Sequence, residues 1–233
     1  MSKSILNTPI DFDSSDFLSL LSLSAGMTIA RQNRMGELVI KENSWHVDIR
    51  ARQITFGNTP YTMGILGSES YETNTWLWSW ANTESNLPEL TTAAARRAKK
   101  ALSGCPEFTE KKFMLDEIHT GHNLSMVCMG VSEKDVCYYR CPYNGGAMFI
   151  QLEGLPEEIF APLSAPQLMR QYLEIISSLY CDHRLLAAGF LWQNGTEFTD
   201  GGSYIDGNFG DTTLRFSFEE AEGLSRVVNI ESV

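Results

Sequence analysis

From Phe17 onward the apolar positions fall at Phe17, Leu18, Leu20, Leu21, Ala25 and Ile29, close to the spacing of one helix face. This predicts a helix over residues 14–35, capped at its start by Asp13, Ser14 or Ser15 and ending near Gly36. The period then shortens to two. Residues 45–50 alternate, 53–56 continue after a turn, and 61–66 and 75–81 read as two further strands joined by a polar link over 67–74. Leu87-Pro88 opens a predicted helix that runs to Leu102 and stops at Gly104-Cys105-Pro106. Residues 125–131, 135–141 and 148–152 predict a three-strand meander with turns at Glu133-Lys134 and Asn144-Gly145-Gly146. Helical spacing returns at Leu168, Met169, Tyr172, Leu173, Ile176 and Leu179, with Pro166 in the first turn. Residues 185–192 form a second short helix or a bent continuation. Residues 194–233 read as a Gly-rich acidic loop, followed by a closing hairpin over 213–218 and 224–230.

Strand groups broken by a few helices, without regular βαβ alternation, predict an α+β fold with a mainly antiparallel curved sheet. The long N-terminal helix packs on that sheet, as in cystatin-like or related folds. The whole of residues 1–233 reads as a single domain.

Composition narrows the function classes. The 233 residues carry 18 Lys+Arg against 29 Asp+Glu, a formal net charge of −11. A surface so acidic repels phosphate backbones, which sets nucleic acid aside. The longest strictly apolar stretch, residues 185–192, is far short of the roughly 20 residues that span a bilayer, so no membrane is expected. Phe17 to Ala30 resembles the apolar core of a signal peptide, but Asp11, Asp13 and Asp16 stand where such a peptide carries positive charge. The five cysteines, Cys105, Cys128, Cys137, Cys141 and Cys181, are odd in number and irregular in spacing. They read as reduced thiols in a cytoplasmic protein.

The most distinctive segment is Thr73-Asn74-Thr75-Trp76-Leu77-Trp78-Ser79-Trp80-Ala81-Asn82, preceded by Gly67-Ser68-Glu69-Ser70. As a strand it puts Trp76, Trp78 and Trp80 on one face and Leu77, Ser79 and Ala81 on the other. The indole face is either a core stripe beneath a helix or the wall of a ligand pocket in which the indole N–H groups and Glu69 supply polar contacts. This Gly-Ser-x-Ser…Thr-Trp-Leu-Trp-x-Trp-Ala-Asn core, with Trp45 to Asp48 and Ile54 to Phe56, resembles an uncharacterised family of bacterial proteins over roughly residues 40–105. The resemblance implies a bacterial source and a single-domain architecture, and brings no catalytic residue with it.

Other candidate chemistry is weaker. His119 and His122 with Cys137 and Cys141 offer zinc ligand types. However, two cysteines four apart on a strand stand roughly 13 Å apart at about 3.3 Å per residue, too far for one ion. Cys181-Asp182-His183 places a thiol beside a base, but adjacent helical residues do not face each other. The loop from Asp206 to Asp211 has oxygen ligands without the calcium-loop spacing. No metal and no cofactor are therefore expected, and no catalytic residue is assigned. Charge is segregated: residues 93–112 hold six basic and two acidic side chains, while 194–233 hold two basic and eight acidic. Arg96, Arg97, Lys99 and Lys100 against Glu219, Glu220 and Glu222 suggest electrostatic docking of a protein partner or of a second copy. The pattern thus favours a non-catalytic binding or interaction protein with a charge-polarised surface. The alternatives are a small-ligand-binding domain with a Trp-lined pocket and, third, an enzyme of unknown class.

Overall fold

The computed structural model describes residues 2–233 and is α+β. Helix α1 (Phe17–Met35) begins where Asp16 accepts the Ser19 N–H, and a π-helical turn, Gly36–Ile40, extends it. Strands β1 (Trp45–Asp48), β2 (Gln53–Phe56), β3 (Thr59–Ser70) and β4 (Thr75–Trp78) follow as an antiparallel series. Helices α2 (Ala93–Ala101) and α3 (Pro106–Thr109) lead to the short edge strand β5 (Lys112–Met114). After helix α4 (Gly121–Gly130), β6 (Cys137–Tyr143) and β7 (Gly146–Glu153) form a hairpin that joins the sheet at β3. Helices α5 (Ala165–Ser178) and α6 (His183–Asn194) precede a second antiparallel sheet of β8 (Glu197–Asp200), β9 (Tyr204–Asn208), β10 (Thr213–Ala221) and β11 (Leu224–Ser232).

The seven-stranded sheet curls into a half-barrel, and β3 is its axis. β7 takes one edge of β3 from Thr62 to Ser70; on the other edge β2 pairs with Thr59–Thr62 and β4 with Gly67–Ser70. Residues 64–66 therefore lack a strand partner on that edge. There Ser79 Oγ donates to the Ile65 carbonyl at 2.6 Å. Near the start of β6, on the edge away from β7, Gln32 of α1 accepts the Tyr138 N–H at 3.1 Å and donates to the Tyr138 carbonyl at 2.8 Å.

Two cores result. The larger runs from Ile5 through α1, α4 and α6 to Phe218 and takes in Leu66, Trp76, Trp78 and Phe149. The smaller covers the other sheet face, with Ile54, Met63, Ile65, Cys141, Ile150 and Leu152 closed over by Met35 and Val39. Glycines let α1 sit deep among its neighbours. A Cβ at Gly189 of α6 would run into the Leu23 backbone, and one at Gly130 of α4 into Ser24.

Four sequence expectations are corrected. Residues 125–131 belong to helix α4, not to a strand; Thr120 caps that helix by accepting the Asn123 N–H, and the run is apolar on every side because the helix is buried on every side. The polar link over 67–74 is strand up to Ser70. The Trp strand ends at Trp78, and Trp80 lies in a 3-10 turn, Ser79–Ala81. The Gly-rich loop after residue 194 contains β8 and β9, and a Cβ at Gly207 would lie 2.6 Å from Leu191, so glycine there lets α6 approach the sheet.

Candidate ligand-binding cleft

Pairing across the sheet decides which side chains β4 presents where. Trp78 lies opposite Gly67, itself paired with Phe149, and Trp76 lies opposite Glu69; Leu77 lies opposite Ser68, itself paired with Met148. Trp76 and Trp78 are both 0% exposed. Their rings meet edge to face at 5.2 Å, Trp76 contacts Phe149, and Trp78 Nε1 donates to the Glu107 carbonyl at 2.8 Å. Trp80 is half-buried, with Lys99 Nζ 3.5 Å from its ring centroid. Glu69 lies on the tryptophan face as well. Its Oε1 accepts from Arg140 Nε and Nη2 at 3.0 and 2.8 Å, and Arg140 also reaches the Tyr71 hydroxyl.

The opposite face of the same strand opens onto a cavity. Leu77, Ser68, Ile65 and Met148 form its floor, Tyr143 one wall, and Leu87 and Pro88 another, around a volume of about 490 Å³. This is the continuation of the smaller core past the point where Met35 and Val39 cover it. Local structure builds both rims. Asp48 Oδ1 accepts the Ala51 N–H at 2.9 Å and Arg52 takes φ +55°, which fixes the β1–β2 turn with Ile49 and Arg50 at the mouth. Across from it, Asn82 Oδ1 accepts the Ser85 N–H at 3.1 Å and Asn86 takes φ +45°, an Asn-led turn that holds Leu87 and Pro88 inward. A larger cavity of about 570 Å³ lies by the second sheet; Trp192, one of its lining residues, has Lys3 Nζ 4.2 Å from its ring centroid.

The other expected chemistry is dispersed. His119 lies between Asp116 (Nδ1 to Oδ2, 2.8 Å) and Glu107 (3.3 Å), whereas His122 meets the Tyr138 hydroxyl at 3.1 Å. Cys137 and Cys141 are buried in the smaller core. Among the described residues, no group of three or more His, Cys, Asp or Glu is placed to hold a metal. Burial pushes the Cys137, Cys141 and Cys181 thiols up to about 12 and those of Cys105 and Cys128 higher still. All five remain protonated thiols at neutral pH. Asp182 caps α6 by accepting the Leu185 N–H at 2.8 Å, and His183 Nδ1 accepts the Val227 N–H at 3.2 Å. Partial burial and the nearby Arg226 hold that imidazole below its ordinary value.

The charged patches also part. Arg97 pairs with Glu153 at 3.9 Å, Arg96 donates to Thr92, and Glu220 accepts from Ser225 at 2.8 Å. No ion pair among the described residues joins Arg96, Arg97, Lys99 or Lys100 to Glu219, Glu220 or Glu222.

The model of a family of unknown function, DUF6882, matches residues 18–155. The chain belongs to that family. The matched span runs from α1 through β7, so it contains both walls of the half-barrel cleft and stops before α5, α6 and the second sheet. No curated protein and no solved structure matches the chain. No helix among the described residues is long and apolar enough to cross a membrane.

The cleft residues outside the tryptophan motif carried no sequence signal of their own. Leu77 and Ser79 were legible as one face by alternation, but the partners Ile65 and Met148 come from sheet register, and Arg50 and Leu87 from turns.

Proposed function

We propose that this DUF6882 member is a non-catalytic binding protein whose ligand is a small, mainly apolar molecule held in the half-barrel cleft. One observation carries this. The apolar face that Met35 and Val39 cover elsewhere stays open beside Leu77 and Met148 over about 490 Å³, within the range of about 300–1,000 Å³ typical of ligand pockets. On this account β4 meets its ligand through Leu77 and uses Trp76 and Trp78 as the rigid backing, not as the wall. The protonated, buried thiols favour binding over nucleophilic catalysis. The same five free thiols support a reducing, cytoplasmic location. A core reaching from Ile5 to Phe218 supports one domain over the whole chain.

Titration with Nile red, a neutral apolar fluorophore, tests the cleft. Saturable binding at one site is expected, weakened at least about tenfold by Leu77→Glu with an unchanged circular-dichroism spectrum. A folded Leu77→Glu variant that binds the dye as the native protein does contradicts it.

The separation of the α2 cations from the β10–β11 acids supports a second, compatible reading: a charge-polarised surface that docks a protein partner or a second copy. Such docking weakens as salt screens it. Sedimentation velocity of the native protein at low and high ionic strength reads this for self-association, and a sedimentation coefficient independent of both salt and protein concentration counts against pairing of copies.

A further inference from the structure

We infer that the cleft selects an anionic amphiphile, an apolar body carrying one carboxylate or similar head group, and that Arg50 is the residue that selects the head. The inference rests on the cleft being a ligand site. The chain carries 29 Asp and Glu residues, yet none of them lines the cleft. Its floor is Ile65, Leu77 and Met148 with the hydroxyl of Ser68, and its one charged lining residue is Arg50.

Arg50 stands in the β1–β2 turn, whose geometry is set by the Asp48–Ala51 hydrogen bond and by Arg52 donating its N–H to the Ile49 carbonyl at 3.3 Å. Arg52 in turn accepts the Met63 N–H at 2.8 Å, which ties the turn to β3 beside the cleft floor. No ion pair among the described residues engages the Arg50 guanidinium, and its side chain is exposed at the mouth. Among the described residues four other arginines are ion-paired, Arg97 with Glu153, Arg140 with Glu69, Arg184 with Asp200 and Arg215 with Asp206; what sets Arg50 apart is its place as the charged residue lining the cleft. A planar guanidinium left free beside an apolar cavity offers a carboxylate a two-pronged, charge-assisted contact. Of the two hydroxyls at the floor, Ser79 Oγ is spent on the Ile65 carbonyl, which leaves the uncharged Ser68 hydroxyl there, and at the rim Asn82 Oδ1 is spent on Ser85. The apolar tail therefore goes inward and the charged head stays at the rim.

Calorimetric titration of the full chain with decanoate, decanol and decylamine tests this, because the three share a tail and differ in the head. Decanoate is expected to bind about tenfold more tightly than decanol, a difference of about 1.4 kcal/mol, with decylamine weakest. Arg50→Gln is expected to bring decanoate down to the affinity of decanol and to leave decanol unchanged. Equal binding of decanoate and decanol by the native protein, or a decanoate preference that survives in Arg50→Gln, overturns the head-group selection and leaves the apolar cleft standing. Failure of all three to bind overturns both.

Discussion

Asp182 and His183 show how two adjacent residues fasten an element without forming a catalytic pair. Asp182 accepts the N–H of Leu185 with one oxygen and that of Ser225 with the other, so it caps α6 and holds the start of β11 at once. His183 accepts the Val227 N–H through Nδ1, and only an unprotonated Nδ1 can do so. Partial burial first, and Arg226 second, favour that neutral form and depress the folded-state value below the ordinary one. The sign of the linkage follows. An unfolded chain takes up this proton near pH 6.5, before the folded protein does, so stability is full above that pH and falls as pH drops through the depressed folded value. Urea midpoints measured from pH 7.5 to 5 are expected to decline, and His183→Asn to flatten that decline. An unchanged slope in the variant assigns the effect elsewhere. The adjacency of Cys181, Asp182 and His183 was legible in the sequence; that each is committed to the joint between α6 and β11 was not, because Ser225 and Val227 lie more than 40 positions away.

Elements were most legible where one face alone is buried. The amphipathic α5 was readable from its periodicity and from Pro166 in its first turn, and the structure adds a capping box of Ser164 and Gln167. The β10–β11 hairpin was readable because alternation survives along β10. Legibility failed where burial is two-sided or the element is short. Helix α4 has buried residues on all its faces, so residues 125–131 show only an apolar run, which helix and strand share. β5, β8 and β9 are three to five residues long, and β9 is interrupted by Asp206 and Gly207, so tertiary pairing overrides a weak local pattern. The candidate site suffered most. The alternation over 75–81 separated the two faces of the tryptophan strand, yet which face is closed depends on where Gly67 and Gly121 allow Trp76 and Phe149 to pack, and nothing local encodes that.

For the whole molecule, the cleft and the basic helix lie on one part and the acidic hairpin on another. The half-barrel matched by the family model carries the cleft, with α2 and its cations beside β3; the acidic β10–β11 hairpin lies beyond the matched span. Against a net charge of −11, Arg50 gives the cleft lining a local positive charge. The central claim is that an apolar ligand occupies the half-barrel cleft. Methyl-region NMR of protein labelled at Ile, Leu and Met, titrated with decanol, tests it most directly. The account predicts saturable shifts at Ile49, Ile65, Leu77, Leu87 and Met148, with the methyls of Leu20, Leu21 and Ile175 in the larger core unmoved. Saturable binding without shifts at these five residues, or shifts spread through the larger core, contradict it.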